Sequence, residues 1–283
     1  MAIFDTFERR HDYLICVDSD GCVMDTMNCK HFHCFGPCMV EEWGLEAWRE
    51  DILARWNEIN LFTMTRGINR FKGLAVALSE INERYTPIPG IAHLCRWVDT
   101  APALSNDGVA RAREEATDPL AKEILGKALS WSQKVNRAIV ALPEELKVPY
   151  EGAKEGLAAA HAFADVAMVS SANRDAVEEE WGKFGLLQHT DIVLAQDVGS
   201  KAACIAKMLS FGYQPDHVLM VGDAPGDKDA AEKNGVYYYP ILVGHERESW
   251  LEAIAEAFPQ LVAGDYPAYG EKKAREFLAN LGG

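Results

Sequence analysis

Over its C-terminal half the chain alternates short apolar runs with segments of helical period. After Tyr150, AKEGLAAAHAFA leads to VAMV, DAVEEEWGKFG to DIVLA, KAACIAKMLSFG to HVLMVG, and DKDAAEKNG to VYYYPIL. Strands alternating with helices of about ten to fifteen residues predict right-handed crossovers and a mainly parallel sheet covered on both faces. VAMV and VLMV are apolar throughout, as strands buried on both sides require. One more such run lies near the N-terminus, YLICVD at 13–18, which breaks into the polar DSDG.

Between that first strand and Tyr150 the pattern is helical. MVEEWGLEAWREDILARWNEI carries apolar residues at helical spacing and predicts helical structure, with Trp43, Trp48 and Trp56 as packing residues. DPLAKEILGKALSWSQKVNRAIVAL predicts another, with Asp118 as N-cap and Pro119 in the first turn. Pro- and Gly-punctuated turns fall at 86–91 and 142–152, the second returning from the helical region. The predicted class is α/β: a Rossmann-like three-layer core with a mainly parallel sheet, made of 1–23 and 151–283, plus an α-helical domain inserted at 24–150.

Composition narrows the partners. The 283 residues are 48% hydrophobic and 25% charged, enough apolar material for two cores, and the formal charge is −15. That charge argues against a nucleic-acid backbone or an anionic membrane as main partner. An anionic substrate must then meet a local cluster of positive groups or a bound cation. Charges interrupt the N-terminal MAIFDTFERRHDY, unlike a signal peptide, and no apolar run is long enough to span a bilayer. A cytoplasmic protein is expected, and the odd count of seven cysteines points to reduced thiols.

Ligands in open α/β sheets sit beyond the carboxyl ends of the strands, which makes the residues there informative. Asp18 and Asp20 follow the first run, Ser170 and Ser171 follow VAMV, Lys201 follows DIVLA, and Asp223 and Asp227 follow HVLMVG. Converging carboxylates with a single lysine repel one another unless a hard cation such as Mg²⁺ joins them. Carboxylate, Mg²⁺, lysine and hydroxyl together suit phosphoryl transfer, with an aspartate able to take the phosphoryl group itself. In Asp18-Ser19-Asp20 the second acid is spaced to protonate a leaving oxygen when the first attacks, and Gly21 permits the turn that aims both.

VDSDGCVMD, VSSAN, GSK and VGDAPGD, in this order, resemble the four motifs of the haloacid dehalogenase superfamily of phosphohydrolases, and the helical insertion resembles its cap. The resemblance implies that Asp18 is nucleophile and metal ligand, and that Asp20 is general acid and base, with its backbone carbonyl on the metal. It further implies that Ser170 binds the phosphoryl group, Lys201 stabilises nucleophile and phosphate, Asp223 ligates Mg²⁺, and Asp227 holds a metal-bound water or orients Lys201. An acid at the second motif position favours phosphate-ester hydrolysis over dehalogenation. Cys22 departs from the family's usual threonine but is small and polar.

The substrate is expected to be a small phosphorylated metabolite. Ser171 is the alternative hydroxyl at the second motif, Lys30 and His31 lie where the family places its flap, and Arg66 and Arg70 belong to the basic stretch TRGINRFKG, suited to a second anionic group. Cys29, His31, His33, Cys34 and Cys38 offer zinc-type ligands but lack paired CxxC spacing. Two further readings stay open: a phosphotransferase or phosphomutase on the same scaffold, and a non-catalytic metal-dependent binding protein. Oligomeric state is open as well.

Overall fold

The computed structural model describes residues 3–282. They form two compact units, one comprising the chain up to Met27 and from Glu144 onward, the other Asn28–Pro143. Strand β1, Tyr13–Val17, opens the first unit.

The second unit is wholly helical among its described residues. It runs through α1 (Met27–Lys30), a π-helical turn His31–Phe35, α2 (Gly36–Trp43), α3 (Arg49–Leu61), α4 (Arg70–Arg84), α5 (Ile91–Thr100), α6 (Asn106–Glu115) and α7 (Pro119–Val140). The helical spacing of MVEEWGLEAWREDILARWNEI is carried by two helices, α2 and α3. Gly44 adopts φ 66°, ψ 42°, a left-handed cap whose N–H bonds back to Val40 and Glu41, and a 3-10 turn Glu46–Trp48 separates it from α3. Only glycine reaches that conformation without strain, which is why the helix stops there. Asp118 does cap α7, its carboxylate accepting from the Leu120 N–H at 2.8 Å. Trp56, Phe71, Leu74, Leu78 and Trp131 fill this unit's own apolar core, and Trp131 Nε1 donates to the Phe35 carbonyl.

The first unit continues with α8 (Ala153–His161), β2 (Ala164–Val169), α9 (Arg174–Lys183), β3 (Ile192–Leu194), α10 (Lys201–Leu209), β4 (Val218–Gly222), α11 (Pro225–Asn234) and β5 (Tyr237–Pro240). All strand pairs are parallel, in the order β3-β2-β1-β4-β5, with Val17 beside both Met168 and Val221. Chain order reverses between β1 and β4, which makes the carboxyl end of β1 the topological switch point. Successive β1 residues serve opposite layers. Ile15 and Val17 pack with Leu157, Trp181 and Trp250, whereas Leu14 and Cys16 pack with Cys204, Ile205 and Met208. The sheet is thus the middle of three layers, as the apolar runs predicted.

Beyond VYYYPIL the structure adds α12 (Glu246–Glu252), α13 (Phe258–Ala263) and α14 (Tyr266–Asn280), for which the sequence reading made no provision. They complete both layers: Trp250, Phe258 and Tyr266 enter the face of Ile15, and Phe277 that of Cys16. No described helix is long and apolar enough to cross a membrane.

Candidate active site

Asp18 continues β1 by one residue, its N–H bonding the Val221 carbonyl at 3.0 Å, so its backbone is held by the neighbouring strand. Its side chain is buried, and Lys201 Nζ approaches Asp18 Oδ2 to 2.7 Å and Asp227 Oδ1 to 2.5 Å. Lys201 begins α10 directly after the N-cap Ser200, whose Oγ accepts from the Ala203 N–H. A cation at a helix N-terminus is disfavoured by the helix dipole, and the two carboxylates offset that cost. Asp227, fully buried in the first turn of α11, also accepts from the Ala224 N–H at 3.1 Å.

Carboxylate oxygens of Asp18, Asp223 and Asp227 lie within 4.8 Å of one another, all three residues buried. Burial pushes the Asp18 carboxyl well above its ordinary range; Lys201 opposes this, while Asp227 and Asp223 add to it. Burial works against the Lys201 ammonium, yet Asp18 and Asp227 raise it above the usual lysine value. Three acids against one lysine leave an excess of negative charge in a dry site. An oxygen-only donor set with that excess fits Mg²⁺.

The remaining core residues are placed as follows. Asp20, two positions on from Asp18, has Oδ1 2.5 Å from the Thr26 hydroxyl. The Gly21 turn, at φ 87°, is closed by a bond from its N–H to the Met24 carbonyl. Ser170 follows β2, buried, with its N–H on the Leu194 carbonyl and its Oγ accepting from the Ala172 N–H at 3.1 Å. Ser171 is exposed. Cys22 is fully buried, its thiol 3.7 Å from the Val221 carbonyl, which fits a small side chain there.

In the helical unit, His31 stacks on Phe35 and its Nδ1 accepts from Trp56 Nε1 at 3.1 Å; Lys30 is half-buried at the end of α1. The basic stretch is not an open loop. Arg66 is 1% exposed and donates to the Leu61 carbonyl. Arg70 Nη1 reaches Ser132 Oγ at 3.0 Å and Asn136 Oδ1 at 2.7 Å, and its guanidinium lies over the Phe35 ring. Arg70 thus ties α4 to α7 through polar partners on its own unit. The Cys/His group does not converge either. Among the described residues, Asp18, Asp223 and Asp227 are the group placed for one metal, while Cys29 and Cys34 sit in the apolar core and His33 is exposed.

Several supporting residues escaped the sequence reading. Gly222, just before Asp223, has no room for a side chain: a Cβ there would lie 2.4 Å from Asp227 Cγ. Its carbonyl accepts from the buried Tyr238 hydroxyl at 3.0 Å. Trp181 Nε1 bonds Ser19 Oγ at 2.9 Å and Trp250 Nε1 bonds the Cys22 carbonyl at 3.0 Å. Thr26 had a visible signal, a hydroxyl closing the same motif as Asp20. The tryptophans had none, since they reach the motif from 162 and 228 positions away.

Residues 109–240 match the family model described as haloacid dehalogenase-like hydrolase. No curated protein matches the chain. Among solved structures it is similar to a haloacid dehalogenase-superfamily hydrolase of subfamily IA from Geobacter sulfurreducens, at 16% identity and TM-score 0.40 over 83% of this chain and 90% of that one. It is also similar to a protein from Lactobacillus plantarum assigned as a phosphoglycolate phosphatase, at 12% identity and TM-score 0.45 over 84% and 90%. A third is the assigned hydrolase YfnB from Bacillus subtilis, described as bound to magnesium, at 12% identity and TM-score 0.44 over 81% and 86%. Likeness of this degree assigns no substrate. The family match over 109–240 takes in the second, third and fourth of the ordered motifs, and it supports the resemblance to the haloacid dehalogenase superfamily.

Proposed function

We propose that the protein is a Mg²⁺-dependent phosphatase that hydrolyses a small phosphorylated metabolite through an aspartyl-phosphate on Asp18. One observation carries the reading: Asp18 is buried at the switch point of the sheet, paired with Lys201 and grouped with Asp223 and Asp227. Asp18, Asp223, Asp227 and the Asp20 carbonyl are the groups that would hold Mg²⁺, which when bound supplies charge neutralisation for nucleophile and phosphoryl oxygens.

An Asp18 oxygen attacks phosphorus as the bond to the leaving oxygen breaks, and Asp20, as acid, gives that oxygen its proton. Water then attacks the phosphorus of the aspartyl-phosphate. Asp20 takes the water's proton, inorganic phosphate leaves, and the Asp18 carboxylate is restored. The Thr26 hydroxyl beside Asp20 Oδ1 supports this role by fixing the carboxyl. Ser170 and Lys201 hold the phosphoryl oxygens, Lys201 being oriented by Asp227. For Lys30, His31 and Arg66 the proposal extends only to contact with the rest of the substrate.

The test is a panel of phosphorylated metabolites at neutral pH with Mg²⁺, with Asp18→Asn as blank. Phosphate release lost in the blank is the expected result. Isomerised or phosphorylated product without free phosphate would move the assignment to a mutase or phosphotransferase. No turnover across the panel would leave a metal-dependent binding protein.

A further inference from the structure

Ser19 lies between the two acids of the first motif, and β1 alternation turns it away from them. Ile15 and Val17 share a face with Trp181, and Ser19 continues that face, whereas Asp18 meets Lys201 on the layer of Cys16, Cys204 and Ile205. Ser19 is fully buried, and both its carbonyl and its hydroxyl oxygen accept hydrogen bonds. Its carbonyl receives the N–H groups of Cys22, Val23 and Met24 at 3.3, 2.9 and 2.9 Å, and its hydroxyl receives the Trp181 indole at 2.9 Å.

Trp181 is itself fully buried on α9, the helix that opens at Asn173, three residues past Ser170. One rigid element therefore joins the second motif to the back of the first. Trp250, from α12, closes the other end of the same turn through the Cys22 carbonyl. Gly156 of α8 makes room for that ring, since a Cβ there would lie 2.2 Å from Trp250 Cε3.

We infer that Trp181 is a positioning residue for the reaction: through Ser19 it fixes the turn that aims Asp18 and Asp20, with Trp250 as its counterpart at Cys22. The inference rests on the phosphatase reading for its effect on turnover, though not for its effect on the turn. A buried indole N–H on a hydroxyl suits the purpose. Both groups are costly to leave unpaired, so the bond persists while substrate comes and goes.

The experiment compares Trp181→Phe, Ser19→Ala and the double variant with wild type: phenylalanine removes the donor while keeping an aromatic ring, at the cost of a small cavity that the thermal midpoint registers, and Ser19→Ala removes the acceptor without one. Three quantities are read: kcat and KM on a substrate found in the panel, midpoint of thermal unfolding, and hydrogen exchange at the Cys22, Val23 and Met24 amides. Expected are a kcat about tenfold lower in each single variant with KM unchanged, and no further loss in the double variant. The three amides lose protection while β2 and β4 keep theirs. Wild-type kcat in Trp181→Phe, additive losses, or activity that only follows the thermal midpoint would overturn the inference. Unchanged amide protection would overturn it whether or not any phosphate ester is turned over. Conversely, a wild-type protein without turnover, whose amides still open in Trp181→Phe, would sink the phosphatase reading and leave the hold on the turn standing.

Discussion

At the scale of single residues, the site is a place where the fold accepts instability. Asp18, Asp223 and Asp227 are buried together with one lysine, so removing one charge relieves repulsion even as it removes the proposed nucleophile. Asp18→Asn should abolish turnover and stabilise the metal-free protein by about 1 kcal/mol, read as a higher thermal midpoint. The pH dependence has a definite sign. With its folded pKa raised above the unfolded value near 3.8, Asp18 holds a proton in the native state that the unfolded chain has released, so stability falls as pH rises through that interval. Thermal unfolding in EDTA from pH 4 upward should show this decline in wild type and a shallower one in Asp18→Asn; equal slopes would refute it. Gly222 makes the opposite case, a residue whose lack of a side chain the site depends on. Gly222→Ala puts a methyl 2.4 Å from Asp227 Cγ and displaces the partner of Lys201. A loss of about 1–3 kcal/mol in denaturant unfolding, together with reduced activity, is expected.

At the scale of elements, legibility in the sequence followed the range of the interactions. The strands were legible because being buried on both faces writes four or five consecutive apolar letters, and the motifs because each sits where such a run ends. The start of α7 was legible because Asp118 and Pro119 act on their own helix. The break at Gly44 is hard to place from sequence because its flanks keep helical spacing, and the turn depends on one backbone torsion. Helices α12–α14 follow the last strand without a comparable motif, and their apolar residues are spaced to serve two layers at once. The surroundings of Arg66 and Arg70 are not legible for a related reason. A short basic stretch reads as surface, and only the tertiary structure reveals that Ser132 and Asn136 accept hydrogen bonds from Arg70. The local signal carries its own prediction. Asp118→Ala removes the cap bond to Leu120 and should cost about 1 kcal/mol in thermal unfolding, whereas Asp118→Asn, which keeps an acceptor, should cost much less.

At the scale of the whole molecule, 43 acidic residues against 28 basic ones set a background that any cation will screen. On the proposed reading Mg²⁺ would stabilise the protein by two routes, general screening of a charge of −15 and occupation of the Asp18, Asp223 and Asp227 cluster. The two differ in their dependence on concentration and on identity. Screening follows ionic strength and is the same for NaCl and MgCl₂ matched for it, whereas site binding saturates and adds about 2.7 kcal/mol at a hundredfold excess over Kd. Thermal unfolding in the two salts at equal ionic strength should separate by roughly 5 °C or more in favour of Mg²⁺. Asp223→Asn should bring the curves nearly together, because it removes one oxygen donor's charge while leaving the background almost unaltered. If wild type unfolds alike in both salts, the acid cluster holds no Mg²⁺ of its own and the proposed chemistry loses its cation. If the separation survives Asp223→Asn intact, the ion binds elsewhere, and Asp18 must be neutralised by Lys201 alone.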